Sequence, residues 1–167
     1  MIVLIQVLIK IKNILIDLLR SCIRIMLLVV LIPNILIHEL GHLTAALILG
    51  VQVQSFEIGE GDIVYETTFL GIPFRVHELP VGGGLVVNSA GKMYADWQVI
   101  VLLATGFLAN LTVGIICFWS INNFVGWIYG GINVVFAICS MWPSSDSDGY
   151  RCYQVLTGKV SEDMEKV

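Results

Sequence analysis

The chain has 167 residues, room for one domain, and 57% of them are hydrophobic while only 13% are charged. A soluble globule of this size has too little interior to hide so much apolar surface, so the composition predicts an integral membrane protein. A net charge of −4 without a basic, aromatic-interleaved patch excludes nucleic acid as a partner.

Residues 1–24 place Gln6, Lys10, Asn13, Asp17, Arg20 and Arg24 at alternating spacings of four and three, one polar stripe on an otherwise apolar helix, with Lys12 off the stripe. Such a helix lies in the membrane interface, runs tilted, or spans with its stripe turned inward. The interfacial or tilted reading is favoured, because Lys10 and Lys12 would otherwise fall near mid-membrane. No small-residue cleavage site follows the apolar start, so no cleavable signal peptide is expected.

The first core span is predicted over 25–50. Inside it stands His38-Glu39-Leu40-Gly41-His42, flanked by residues among which only Asn34 and Thr44 are polar. Two histidines four apart share one helix face, so both imidazoles reach one metal ion while Glu39 points alongside toward a metal-bound water. The bland alternative is a polar cluster that joins helices, yet three ionisable side chains in a span-length apolar segment are costly unless something uses them. Pro33, five residues upstream, predicts a kink ahead of the motif. At 1.5 Å per residue, His42 lies about 12 Å from the Gly50 end of the span.

Over 51–87 the pattern changes to short alternating runs broken by glycine and proline. Gly59-Glu60-Gly61-Asp62 reads as a turn, Ile63–Leu70 and Ile72–Leu79 as strands, and Pro80 with Gly82-Gly83-Gly84 as backbone suited to close approach. A small membrane-associated sheet or hairpin is expected there, with His77 structural.

Two further core spans follow over 97–120 and 124–142, with a polar turn at Asn122-Asn123 and a stop at Pro143. Gly106, Ala109 and Gly114 are small residues suited to close helix packing; Asn110 is a lone amide in hydrocarbon, and Asn133 is read as structural. Ser144-Ser145-Asp146-Ser147-Asp148-Gly149 breaks the pattern, an amphipathic turn over Tyr150–Leu156 comes next, and 157–167 is a polar tail. If the last two spans form a hairpin, Asp148 returns to the Gly50 and Trp97 side, where one carboxylate can complete a metal site. The fold class is therefore an α-helical integral membrane protein: three core transmembrane helices, an N-terminal amphipathic or tilted helix, and a small sheet between the first two spans. The four cysteines, Cys22, Cys117, Cys139 and Cys152, form no C-x-x-C pair and read as packing residues.

Several stretches together resemble the site-2 proteases, the intramembrane zinc metalloproteases. Besides HELGH they are Phe56-Glu57-Ile58-Gly59-Glu60-Gly61, similar to the family's F-x-I/L-G-x-G; Leu79-Pro80-Val81-Gly82-Gly83, similar to L-P-x-G-G; Thr105 to Asn110, similar to A-G-P-x-x-N; and Met141-Trp142-Pro143 with Ser147-Asp148-Gly149, similar to N-L-x-P…D-G. They occur in family order over about 30–155. Phe107 stands in place of the usual proline and Ser140 in place of a common asparagine.

The resemblance implies a catalytic core over 25–156 holding one Zn²⁺ per chain on His38, His42 and Asp148, with Glu39 as general base. Asp148 is preferred because glycine follows it, as in the family, and Asp146 is its rival. Asn110 would hold substrate backbone near the metal, and Gly82, Gly83 and Gly84 would offer a sheet edge to an unwound substrate strand. The implied function is intramembrane metalloendopeptidase, cutting a transmembrane segment or membrane-bound peptide in regulated proteolysis or in signal or precursor peptide processing. A catalytically silent binding or immunity factor of the same fold is the alternative, and a metal or proton transporter fits poorly without an inverted repeat. The expected partners are the lipid bilayer and a single-span protein or membrane peptide. In the family the metal faces the cytosol, and Arg75, Lys92, Arg151, Lys159 and Lys166 fall on that side, against no cation in the Asn122-Asn123 turn. The four cations before Ile25 disagree with that orientation if they lie outside. A multi-pass cell-membrane protein with its site nearer the cytoplasmic face is expected.

Overall fold

The computed structural model describes residues 2–87, 94–145 and 147–159, so Asp146 and most of the 157–167 tail lie outside the described residues. The chain divides into two units, Met1–Pro33 and Asn34–Val167.

The first unit is mainly one helix, α1 (Ile2–Met26). Its polar stripe carries a short-range pair, Arg20 Nη1 to Asp17 Oδ1 at 3.4 Å, while Leu15, Leu18 and Leu19 are exposed. A π-helical turn, Leu27–Leu31, joins it to α2 (Ile32–Leu49). Pro33 accounts for the wide turn, since it has no N–H for the carbonyl four residues back and its ring crowds that position. The span expected over 25–50 is thus divided among the end of α1, this turn and α2.

The second unit begins in α2, which ends at Gly50 (φ 67°), where Val51 N–H donates to Ala46 O at 2.8 Å and closes a left-handed cap. Strands β1 (Val53–Phe69) and β2 (Ile72–Val87) follow. Leu70 and Gly71, at φ 52° and 80°, make the two-residue reversal between the paired Phe69 and Ile72. The turn expected at Gly59–Asp62 does not reverse the chain. Gly59 and Gly61, at φ 90° and 97°, instead let β1 shift register and bend while it continues. Phe56, Glu57 and Ile58 consequently have two sets of partners: Leu85, Gly84 and Gly83, and also Phe74, Arg75 and Val76. Phe56 stacks on Phe74 with ring centroids 5.2 Å apart, and joins Leu43, Ala45 and Ala46 of α2, Val51, Ile72 and Leu102 in the main apolar core.

Among the described residues, α3 (Asp96–Ser120) and α4 (Phe124–Met141) are the two helices long and apolar enough to cross a membrane. Asn123 caps α4, its side-chain oxygen accepting from Gly126 N–H at 3.1 Å. The two helices meet through small residues: a Cβ on Gly114 would stand 3.0 Å from Gly130 O and 2.8 Å from Val134 Cγ2. After Pro143 the chain turns into α5 (Asp148–Leu156), which packs against α3 and α4. The sequence suggested an amphipathic turn only from Tyr150. The helix starts two residues earlier because Ser147 caps it, accepting from Tyr150 N–H at 3.1 Å and donating to Trp142 O at 2.6 Å. Gly149 lies against the Met141 carbonyl, where no Cβ fits.

Candidate metal centre

Helix α2 supplies His38, Glu39 and His42. One turn apart on one face, the two imidazoles stand edge to face with centroids 4.7 Å apart. Gly41, in the same turn of α2, meets the Thr105 carbonyl and lies within 2.9 Å of Ala109 Cβ, measured from a Cβ built on it. The missing side chain is what lets α2 approach α3 so closely. One residue beyond Thr105, α3 presents Gly106 to both rings: a Cβ there would be 2.5 Å from His42 Nε2 and 2.6 Å from His38 Cε1.

The Ser147 cap sets Asp148 as the first residue of α5, and that placement brings its carboxylate to the rings. His38 Nε2 is 2.9 Å from Asp148 Oδ2, His42 Nε2 is 3.3 Å from the same oxygen, and the two Nε2 atoms are 3.1 Å apart. His38 and His42 are 7% and 2% exposed, so this is an enclosed cluster and not a chance meeting at the surface.

The donor chemistry fits a cation. His42 Nδ1 lies 2.7 Å from the Leu102 carbonyl, which only accepts, so Nδ1 carries the proton and Nε2 turns its lone pair inward. The His42 lone pair and a carboxylate oxygen of Asp148 thus face one point, with His38 Nε2 beside them. Donors bound at 2.0–2.1 Å around a tetrahedral zinc stand about 3.3 Å from one another, close to the separations here. Glu39 is beside the cluster without belonging to it. It is 5% exposed, its Oε2 has no hydrogen-bond partner among the described residues, and a Cβ on Gly83 of β2 would stand 3.1 Å from its Oε1.

His38, His42 and Asp148 are therefore brought together, Glu39 stands next to them against Gly83, and Asn110 Nδ2 lies 3.4 Å from His38 Nδ1. Gly83 and Gly84 pair with Ile58 and Glu57, and Gly82 lies in the same strand. Asp146 lies outside the described residues. Three contributors escaped the sequence reading. Gly106 was visible only as a packing glycine, the Leu102 carbonyl leaves no side-chain signal, and Phe136 of α4, edge-on to His38 at 5.8 Å, looks like any aromatic in a span.

The model for peptidase family M50 matches residues 26–167. A protein of Chlamydia trachomatis named "Putative zinc metalloprotease" is 33% identical over 105 residues, covering 50% of this chain and 17% of that protein. "Putative zinc metalloprotease Cj1068" of Campylobacter jejuni is 39% identical over 64 residues, 38% of this chain and again 17% of the relative. The chain thus matches about a sixth of the length of these curated relatives. Among solved structures, the site-2 protease from Methanocaldococcus jannaschii superposes with a TM-score of 0.57 at 19% identity, over 89% of this chain and 65% of that one, a likeness of fold.

Proposed function

The chain belongs to peptidase family M50, the site-2 protease family, and on that premise we propose that it is an intramembrane zinc metalloendopeptidase that cleaves a transmembrane segment or a membrane-bound peptide. The observation that carries the proposal is the convergence of His38, His42 and Asp148, whose ligand atoms all lie within 4.8 Å of one another beside a carboxylate outside the set. His38, His42 and Asp148 would hold one zinc ion. Bound there, zinc supplies a Lewis acid that polarises a carbonyl and acidifies water.

The chain's own residues do the rest. Glu39, buried and without a partner at Oε2 among the described residues, takes a proton from the attacking water and passes it to the leaving amine. Gly83 lies next to Glu39, and the strand through Gly82, Gly83 and Gly84 offers its outer edge to an unwound substrate strand, with no side chain at Gly83 to hold that strand away. Asn110 presents its amide to the substrate backbone beside His38. Peptide bonds in a helix are shielded by their own hydrogen bonds, so substrates carrying helix-breaking residues are preferred. In this reading α2 crosses the membrane with α3 and α4, giving three core spans, and α1 is an amphipathic helix that is interfacial or tilted. The metal then opens toward the cytoplasmic face, on the side of Arg75 and Arg151.

The test is purification in detergent, measurement of bound zinc, and incubation with model transmembrane peptides, cut sites being read by mass spectrometry. The expected result is one zinc per chain and cleavage that falls by about 10²–10⁴-fold in Glu39→Gln while zinc is retained. A zinc-loaded protein that binds such peptides and never cuts them would instead support the silent binding factor.

A further inference from the structure

Asn110 is fully buried, its Nδ2 is 3.4 Å from His38 Nδ1, and its Oδ1 has no hydrogen-bond partner among the described residues. That arrangement conflicts with the metal centre beside it. His38 points Nε2 at Asp148 and His42, so a metal takes the Nε2 lone pair, and a neutral imidazole then carries its proton on Nδ1. An Nδ1–H facing an amide NH₂ sets donor against donor. Rotating the Asn110 amide by half a turn, which exchanges groups of nearly equal size, gives Nδ1–H an acceptor and removes the orphaned oxygen in one move.

We propose that Asn110 is a positioning residue for the metal: its side-chain oxygen accepts the Nδ1–H of His38, fixing that ring's tautomer and direction as the Leu102 carbonyl does for His42. The inference rests on the zinc reading above and deepens it. Each ring has one outer acceptor, a backbone carbonyl for His42 and a side-chain amide for His38, and both come from α3. Substrate contact through the amide nitrogen uses the opposite end of the group, so the two roles do not compete.

The test compares zinc affinity, by competition with a chromophoric chelator, in the full chain and in N110L and N110D. Leucine keeps the volume and removes the acceptor; aspartate keeps an acceptor. The expected result is a 10–100-fold loss of affinity in N110L and affinity within about threefold of wild type in N110D. Wild-type affinity in N110L overturns the proposal, and so does N110D failing as badly as N110L, the outcome for a residue that only packs. Should N110L not fold, histidine ¹⁵N spectra of the zinc-loaded wild type decide: a protonated, hydrogen-bonded Nδ1 on His38 supports the assignment and a metal-bound Nδ1 overturns it. A wild type that takes up no zinc sinks the metal-centre reading itself, whereas zinc uptake insensitive to N110L sinks only this inference.

Discussion

Gly106 faces His42 so closely that a single added carbon would stand 2.5 Å from Nε2, the atom turned into the metal site. Gly106→Ala is therefore expected to weaken zinc binding by at least about tenfold, the scale on which residues that orient the ligands act. Helix loss would not explain it, because alanine in place of glycine within α3 favours the helix by roughly 1 kcal/mol. Chelator competition and helical circular dichroism, recorded on the same sample, separate the two: affinity falls and helicity does not.

The placement of Asp148, the proposed third ligand, depends on how α5 begins. Asp148→Asn removes a carboxylate from the triangle with His38 and His42, so zinc affinity should drop by more than the 10–100-fold typical of outer residues, whereas Asp146→Asn should leave it near wild type. Ser147→Ala keeps all ligands but deletes the cap that accepts from Tyr150 N–H, at a cost of about 1 kcal/mol to the start of α5. We expect an affinity loss of a few-fold there, intermediate between the two aspartate variants. Loss on Asp146→Asn with retention on Asp148→Asn would reassign the ligand.

These residues also mark how far the sequence could be read. The HELGH spacing gave the shared face of His38 and His42 directly, because helical periodicity is local. Asp148 was reachable through the order of spans, since a hairpin of two apolar helices returns the chain to its starting side. What the sequence did not disclose depends on contacts across elements. Gly106 looks like Gly114 in the same helix, yet one meets imidazoles and the other α4. The Gly59–Gly61 pair signals positive φ without saying whether the strand reverses or only bends, and that is decided by the pairing of Phe56, Glu57 and Ile58 on both sides. Pro33 announced a disruption, but its π-helical form depends on how the preceding turn relaxes.

Glu57 ties the sheet together, accepting from Ser55 Oγ at 2.7 Å, from Arg75 Nη1 at 3.2 Å, and lying 3.2 Å from His77 Nε2. Burial works to raise its carboxyl, but the hydrogen bonds from Ser55, Arg75 and His77 outweigh it, so the folded sheet binds this proton less readily than the unfolded chain. The stabilisation is then present above the unfolded carboxylate value of about 4.3 and is lost as pH falls through the lower folded value. Hydrogen exchange of β1 and β2 amides should quicken in that acid window in the wild type. In Glu57→Gln it should start faster and change less with pH; identical profiles would remove the linkage.

Leu70 occupies the left-handed region at φ 52° and is 69% exposed, so its conformation costs energy that no burial returns. Followed by Gly71 at φ 80°, the position matches a turn that favours Asn-Gly. Leu70→Asn should stabilise the hairpin by about 1 kcal/mol and raise the thermal midpoint without altering zinc affinity. Gly71→Val should do the reverse. A lower midpoint for Leu70→Asn would mean that the leucine side chain is held by something beyond the turn.

Gly83 tests the link between the sheet and the chemistry. A Cβ there would lie 3.1 Å from Glu39 Oε1, 3.2 Å from Glu39 Cγ and 3.1 Å from the Glu57 carbonyl, so an alanine must move either the strand or the Glu39 carboxylate, the proposed general base. The Glu57 carbonyl belongs to paired backbone and yields little, whereas the Glu39 carboxylate, with no partner at Oε2 among the described residues, can rotate. Because Glu39 holds no metal-ligand position, its displacement should lower kcat while zinc content and affinity stay at wild-type values. Gly83→Ala is expected to slow cleavage by about tenfold, within the range that a mispositioned base can cost. Gly83→Val should add a rise in KM, since a branched side chain also crowds the edge that would receive the substrate strand. Loss of zinc together with activity would place Gly83 in the support of the metal; unchanged kcat with a raised KM alone would leave it a substrate contact and free Glu39 from any dependence on the sheet.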